Sequence, residues 1–197
     1  MLLMTCLVVN CNHWIGYHIV NGLLEDDWLV EGVIDKEEKD TLSMFFGRNS
    51  NFSFCENVEK KVYDTVISVG VPLKEIDHVH TNRSVIIHPT VPENMKEDTI
   101  LIKAPLLFGE WMPMNENGMY RNHLFIPFDS TYFLTEAVYI EDFVSYLVKW
   151  LNDDIADNKK SAIIKLEHST YTRDNRPIEK KLEQVKEHYH QFKKYTE

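Results

Sequence analysis

The first 35 residues constrain the fold of this chain more than any other stretch. Leu2 to Val9 is an unbroken apolar run. It has no polar alternation, so it predicts a strand buried on both faces, as in a parallel sheet. A short polar turn, Asn10–His13, follows, and then Ile15, Ile19 and Leu23 recur at helical spacing. "WLVEGVID", ending at Asp35, reads as a second strand. Strand, helix and strand within about 30 residues make a βαβ unit. Such a unit requires helices packed on the faces of its sheet.

The pattern continues down the chain. Lys36 to Phe46 predicts a short helix, and "NFSFCE", "DTVISVG", "RSVIIHPTV" and "DTILIKAPL" predict four more strands. "VPLKEIDHVHTNR" has room for two or three helical turns at most. "VYIEDFVSYLVKWLND" predicts a helix with Phe143, Leu147 and Trp150 on one face and Asp142 near its start. In the tail, "SAIIKLE" is a short strand and "STYTRDNRP" a turn-rich link. Ile178, Leu182, Val185 and Phe192 then form one stripe of an amphipathic helix, with lysines and glutamates opposite. The expected fold is α/β: a doubly wound, mostly parallel Rossmann-like sheet with a small C-terminal strand and helix. Residues 1–155 are expected to form the sheet domain. Residues 156–197 are expected to pack on it as strand, linker and helix.

Charge and composition exclude some partners. A net charge of −10 disfavours nucleic-acid backbones and anionic membrane surfaces. No apolar run approaches the roughly 20 residues a membrane helix needs. "MLLMTCLVVN" carries neither a basic leader nor a small-residue cleavage site, so it reads as a strand rather than a signal peptide. Cys6, Cys11 and Cys55 form no CxxC pair, and reduced thiols in a cytoplasmic protein are the simpler reading. Glycine is scarce: seven in 197 residues is about half the usual 7%. Few backbone segments are therefore built to approach a ligand closely.

That scarcity bears directly on the first turn. A dinucleotide turn uses one glycine to turn tightly, a second to let the backbone reach the pyrophosphate, and a third to pack helix against strand. "NCNHWIGYHIVNGLL" resembles the first turn of the extended short-chain dehydrogenase/reductase family, the NAD-dependent epimerases and dehydratases. There the spacing is GxxGxxG, and "WIGYHIV" is similar to that family's "FIGSHLV". The resemblance puts Asn10 and His13 on the first two glycines and Gly16 on the third. Asn tolerates positive φ, so Asn10 can still make the turn. His13 stands where backbone would meet phosphate, either filling that space or, when protonated, pairing with an anion. Asp35 closes the second strand, where an acid about 20 residues on binds the adenosine ribose; an Asp there is also an ordinary turn former.

The likeness extends over most of the chain. "YDTVISVG" resembles the family's fourth strand, and "SVIIHPT" the fifth, with Thr90 at the position of its catalytic Ser or Thr. "TILIKAPLLFGEWMP" resembles the sixth strand and following turn, with Lys103, Phe108 and Gly109; "AVYIEDFVSYL" resembles a later segment, with Asp142 at a helix start. One part is missing. The family's Tyr-x-x-x-Lys helix, which carries its acid/base, lies between these fifth and sixth strands. Here only "VPENMKED" separates Thr90 from Thr99. Four helical turns need about 14 residues, so the helix is deleted and no catalytic residue is assigned. Tyr63 and Tyr171 have no lysine four residues on. The resemblance also implies that the family's dimer surface, built on the helices shortened or lost here, is unavailable.

The expected function is therefore a non-catalytic Rossmann-like protein, a pseudoenzyme. It would have an impaired site at Asn10, His13, Gly16 and Asp35, with no cofactor or weak NAD(P) binding, and act as a binding or regulatory module. One alternative is an atypical NAD(P)-dependent oxidoreductase or sugar-nucleotide epimerase/dehydratase with an acid/base from elsewhere. Another is a ligand-free interaction subunit. His78, His80 and His88 lack carboxylate or cysteine partners at ligand spacing, so no metal is expected. Cys11, near a helix start and His13, is either a nucleophile or a small buried turn residue. The segment Trp111–Met119 packs on its own core or, with the C-terminal helix, offers a surface to a protein partner.

Overall fold

The computed structural model describes residues 3–35, 42–46, 49–55, 61–70, 79–92, 95, 98–153, 163–165 and 177–196. The chain divides into two compact units, Met1–Ala104 with Leu147–Leu166, and Pro105–Tyr146 with Glu167–Glu197. This division differs from the 1–155/156–197 split that the tail's composition implied. The short tail strand joins the first unit, while the tail helix belongs to the second.

The first unit holds β1 (Thr5–Val9), α1 (Trp14–Glu25), β2 (Leu29–Val33), β3 (Phe52–Phe54), β4 (Val62–Val69), β5 (His80–His88) and β6 (Thr99–Lys103). Its seventh strand is the tail strand, Ile163–Lys165. The strands form one sheet in the order β3-β2-β1-β4-β5-β6-tail strand. Every pairing in it is parallel. Cys6 to Val9 are wholly buried, as the absence of alternation predicts. The order reverses between β1 and β4, which opens a crevice at the carboxyl ends of the strands.

Local chemistry explains the element ends. Gly16, Ile19, Val20 and Leu23 form the buried stripe of α1. That helix ends with Asp27 in the left-handed region at φ 62°, and Trp28 is buried just beyond it. The fifth strand runs over His80–His88 rather than Arg83–Val91. Its polar start pairs with Val62 and Tyr63 of β4, and it stops at Pro89, which has no N–H to donate. Of the helix expected at Lys36–Phe46, residues 36–41 lie outside the described residues; Ser43–Phe45 form a 3₁₀ turn. Residues 71–78 and most of the "STYTRDNRP" link, with Tyr171, also lie outside them.

In the second unit, β7 (Leu106–Phe108) pairs in parallel with a later strand, and β8 (Met114–Asn115), β9 (Gly118–Arg121) and β10 (Leu124–Pro127) form an antiparallel sheet. Then come α2 (Thr131–Glu136), β11 (Ala137–Tyr139), which is the partner of β7, and the start of α3 (Ile140–Asn152), a helix that passes into the first unit at Leu147. The tail strand is β12, and α4 covers Ile178–Thr196. Phe108, Phe128, Phe133 and Tyr139 pack ring against ring at centroid distances of 5.1–5.5 Å. The segment Trp111–Met119 packs on its own unit. Met112 and Met119 are buried, and Trp111 lies 4.5 Å from the His188 ring and 5.2 Å from Phe192 of α4. Among the described side chains of α4, Lys181, Val185 and Tyr189 are buried. Asp142 of α3 pairs with Lys181 at 2.5 Å.

Candidate functional site

The turn after β1 is built around Asn10, which takes φ 61°, a conformation Asn adopts more readily than most residues. Its Nδ2 donates to the Val69 carbonyl at the end of β4, at 2.7 Å. Its carbonyl accepts the His13 N–H at 3.1 Å, and the Cys11 N–H donates to Val33 of β2 at 3.0 Å. The turn thus ties β1 to both neighbouring strands. A Cβ on Gly16 would sit 2.2 Å from the Asn10 carbonyl oxygen and 3.0 Å from the Cys11 Cα. Both are backbone atoms that cannot give way, so this position requires glycine.

His13 is the N-cap of α1. Its Nδ1 accepts the Ile15 N–H at 3.2 Å, so that nitrogen carries no proton. Burial pushes the imidazole down to about 4, against the opposing pull of Asp35. The ring is therefore neutral at neutral pH and does not act there as a cationic partner for an anion. It satisfies one of the amides that open the helix, at the place where such helices receive phosphate.

Asp35 is held by a residue that the sequence reading did not single out. Asn12 Nδ2 donates to the Asp35 carbonyl at 2.8 Å, and the Asp35 N–H donates to Asn12 Oδ1 at 2.8 Å. This reciprocal pair fixes the backbone beyond β2. Asn12 is buried. Its only sequence signal is an amide side chain, donor and acceptor together, lying between two expected site positions. Asn10, Asn12, His13, Gly16 and Asp35 are thus brought to one end of the β1–β2 pair. Cys11 is fully buried, with its Sγ 2.7 Å from where a Cβ on Gly32 would lie. It is a packing residue and not an exposed nucleophile.

The carboxyl edge continues across the sheet. The Gly70 N–H donates to Ile87 and the Ala104 N–H to His88, each at 3.0 Å. Gly70 has φ +79°, with nothing among the described residues within 4 Å of its missing Cβ. Thr90 stands exposed just past β5, where His88 Nδ1 lies 2.7 Å from its carbonyl oxygen and 3.2 Å from its Oγ1. Lys103 is the register partner of His88 on β6. Only residues 89–98 join β5 to β6, too few for a four-turn helix. Tyr63 lies at the opposite, amino edge, where its hydroxyl donates to Glu31 at 2.7 Å. His78 lies outside the described residues, and His80 is exposed at the far end of β5. Among the described residues no group of three His, Cys, Asp or Glu side chains is arranged to hold a metal. No helix among them is long and apolar enough to cross a membrane.

The cradle fits a dinucleotide in its turn, its packing glycine and its acid. One buried atom in it, Asn10 Oδ1, has no hydrogen-bond partner among the described residues, an orphaned acceptor of the kind a ligand or water satisfies. Among the described residues, the His13 cap is the feature that opposes occupancy. Removing an N-cap bond costs about 1 kcal/mol, an amount that charge-assisted bonds to a phosphate can offset.

No protein-family model matches the sequence, and no curated protein is similar to it. Solved structures are similar in fold. Vestitone reductase from alfalfa superposes with a TM-score of 0.58 at 10% identity, over 97% of this chain and 99% of that one. dTDP-glucose 4,6-dehydratase from Bacillus anthracis, solved in complex with NAD, gives 0.59 at 8% identity, over 98% of each chain. An epimerase from Methanothermobacter thermautotrophicus gives 0.59 at 9%, over 98% of this chain and 94% of that one. At these identities the likeness is one of fold alone, the Rossmann-like α/β fold that the resemblance of the first turn implies.

Proposed function

We propose that this chain is a nicotinamide-dinucleotide-dependent protein of the reductase and epimerase/dehydratase type, atypical in drawing its acid/base from outside a Tyr-x-x-x-Lys helix. The observation that carries the reading is the Asn10 turn. It keeps the left-handed backbone, the bond to β4 and the close packing on Gly16 although two of the three expected glycines are gone. A turn retained only as scaffold would not need a reciprocal side-chain clamp on Asp35 as well.

The roles follow from the chemistry of each group. Asp35 accepts hydrogen bonds from the adenosine ribose hydroxyls, and its charge favours NAD over the 2′-phosphate of NADP. The opening amides of α1 receive the pyrophosphate once His13 releases Ile15. Gly16 holds helix and strand together beneath. When bound, the nicotinamide supplies a hydride donor or acceptor.

The second reading is a binding or regulatory module without turnover, and one observation favours it: His13 caps α1 with its own ring. The Trp111–Met119 segment is less suited to a protein partner, since Met112 and Met119 are buried within their own unit. The charged side of α4 remains as the candidate surface.

A thermal-shift comparison separates ligand-bound from ligand-free readings. NAD at 100 times its dissociation constant stabilises the fold by about 2.7 kcal/mol. The reading expects a dose-dependent rise with NAD or NADH, smaller with NADP, and lost in Asp35→Ala. No rise with any dinucleotide would overturn it.

A further inference from the structure

We propose that His88 is the general acid/base of this chain, oriented by the backbone of Thr90 and assisted by Lys103. This rests on the dinucleotide reading given above. The sheet order reverses between β1 and β4, and ligands of such sheets lie outside the carboxyl ends of the strands at that point. With Asp35 and the phosphate turn on the β2–β1 side, the reacting half of a dinucleotide lies toward β4 and β5. Parallel strands are about 4.8 Å apart, so His88, two strands from the turn, stands roughly 10 Å along the edge.

The imidazole is anchored through one nitrogen. Its Nδ1 lies 2.7 Å from the Thr90 carbonyl oxygen and 3.2 Å from the Thr90 N–H. Nδ1 donates to the first in one tautomer and accepts from the second in the other. In either tautomer Thr90 engages Nδ1 and leaves Nε2 for proton transfer. A histidine oriented through Nδ1 with Nε2 as the working nitrogen is a common arrangement for proton transfer. His88 is partly exposed, and Pro89 and the bend after it fix the turn around the ring. Lys103, exposed and opposite His88 in the parallel register, puts a cation on the same edge to stabilise negative charge on a substrate oxygen.

The substrate class is a secondary alcohol or the corresponding carbonyl compound. In the oxidising direction the substrate O–H bond breaks, its proton forms an N–H bond on Nε2, and its electron pair becomes the second C–O bond. With a nicotinamide dinucleotide bound, the carbon-bound hydrogen would leave with its pair as hydride, the chemistry that cofactor would supply. The imidazolium then returns the proton to solvent.

Diethyl pyrocarbonate, which acylates unprotonated imidazole nitrogens, tests the placement without turnover. In the wild-type protein, peptide mass mapping should find His88 and exposed His80 modified. Saturating NADH should slow His88 modification at least fivefold and leave His80 unchanged. If NADH binds but His88 reacts as before, this proposal fails and the dinucleotide reading stands; if NADH does not bind, both fail. With NADH and a panel of aldehydes and ketones, His88→Gly should lower the rate about 100-fold, and added imidazole should restore part of it. An unchanged rate, a loss that imidazole does not rescue, or a wild type that binds NADH but turns over none of the panel would overturn the assignment.

Discussion

Two residues of the first turn separate backbone need from side-chain need. At Gly16 any Cβ meets the Asn10 carbonyl. Gly16→Ala should therefore cost about 1–3 kcal/mol, as overpacking does; urea unfolding that shows no loss would contradict the packing. At Asn10 both Ala and Gly lose the bond to Val69, but only Ala is strained at φ 61°. Asn10→Ala should be less stable than Asn10→Gly by about 1 kcal/mol, and equal midpoints would count against the left-handed turn. His13 adds a pH dependence. Its folded-state value is about 4 against an ordinary 6.5, so the unfolded chain binds the proton more tightly. The stabilisation is complete above pH 6.5 and declines as pH falls toward 4. His13→Gly should flatten the stability profile across that window, and an unchanged slope would contradict the assignment. At this scale the sequence was informative where a residue type answers a backbone demand, as Asn10 and Gly16 do. It was silent about Asn12, because an amide that clamps a strand end 23 residues away leaves no local pattern.

The long apolar strands and the amphipathic helices were legible because burial sets their period. Short elements were not. The hairpin β9–β10 lies largely in a stretch that was assigned to no element from sequence, yet its two central residues, Asn122 and His123, take φ 48° and 64°, the two positive values of a type I′ turn. Leu124 is 70% exposed there, so apolar alternation does not mark an inner face. In α4 the apolar stripe was read correctly at Val185, but the position beside it that is most deeply engaged in charge is Lys181. Its ammonium is bonded to Asp142 at 2.5 Å, with side-chain exposures of 7% and 16%. Removing one member of such a pair leaves a charge without its partner. Lys181→Ala should destabilise the second unit by about 3 kcal/mol, and a change within 0.5 kcal/mol, the usual range for surface substitutions, would show the pair to be incidental.

For the whole molecule, the parallel sheet follows from its β1–α1–β2 opening and from strands too apolar to face water. The division into two units was not legible, because the chain leaves the first unit at Pro105 and returns at Leu147 in the middle of α3, with no linker composition at either point. The function was legible only as a question about the first turn. A sequence with two glycines missing reads as an impaired site. The folded turn shows Asn10 filling the conformational role of one, and at the other a cap worth about 1 kcal/mol, a fivefold effect on affinity rather than a block. We propose on this ground that the site still takes a dinucleotide. Calorimetric titration of NADH into the wild type, His13→Gly and Asp35→Ala tests it most directly. Saturable binding with one site per chain is expected, tightened about fivefold by His13→Gly and weakened at least tenfold by Asp35→Ala, in line with about 1.4 kcal/mol or more for charged hydrogen bonds. Folded wild-type and His13→Gly proteins that both release no heat with NADH would contradict it.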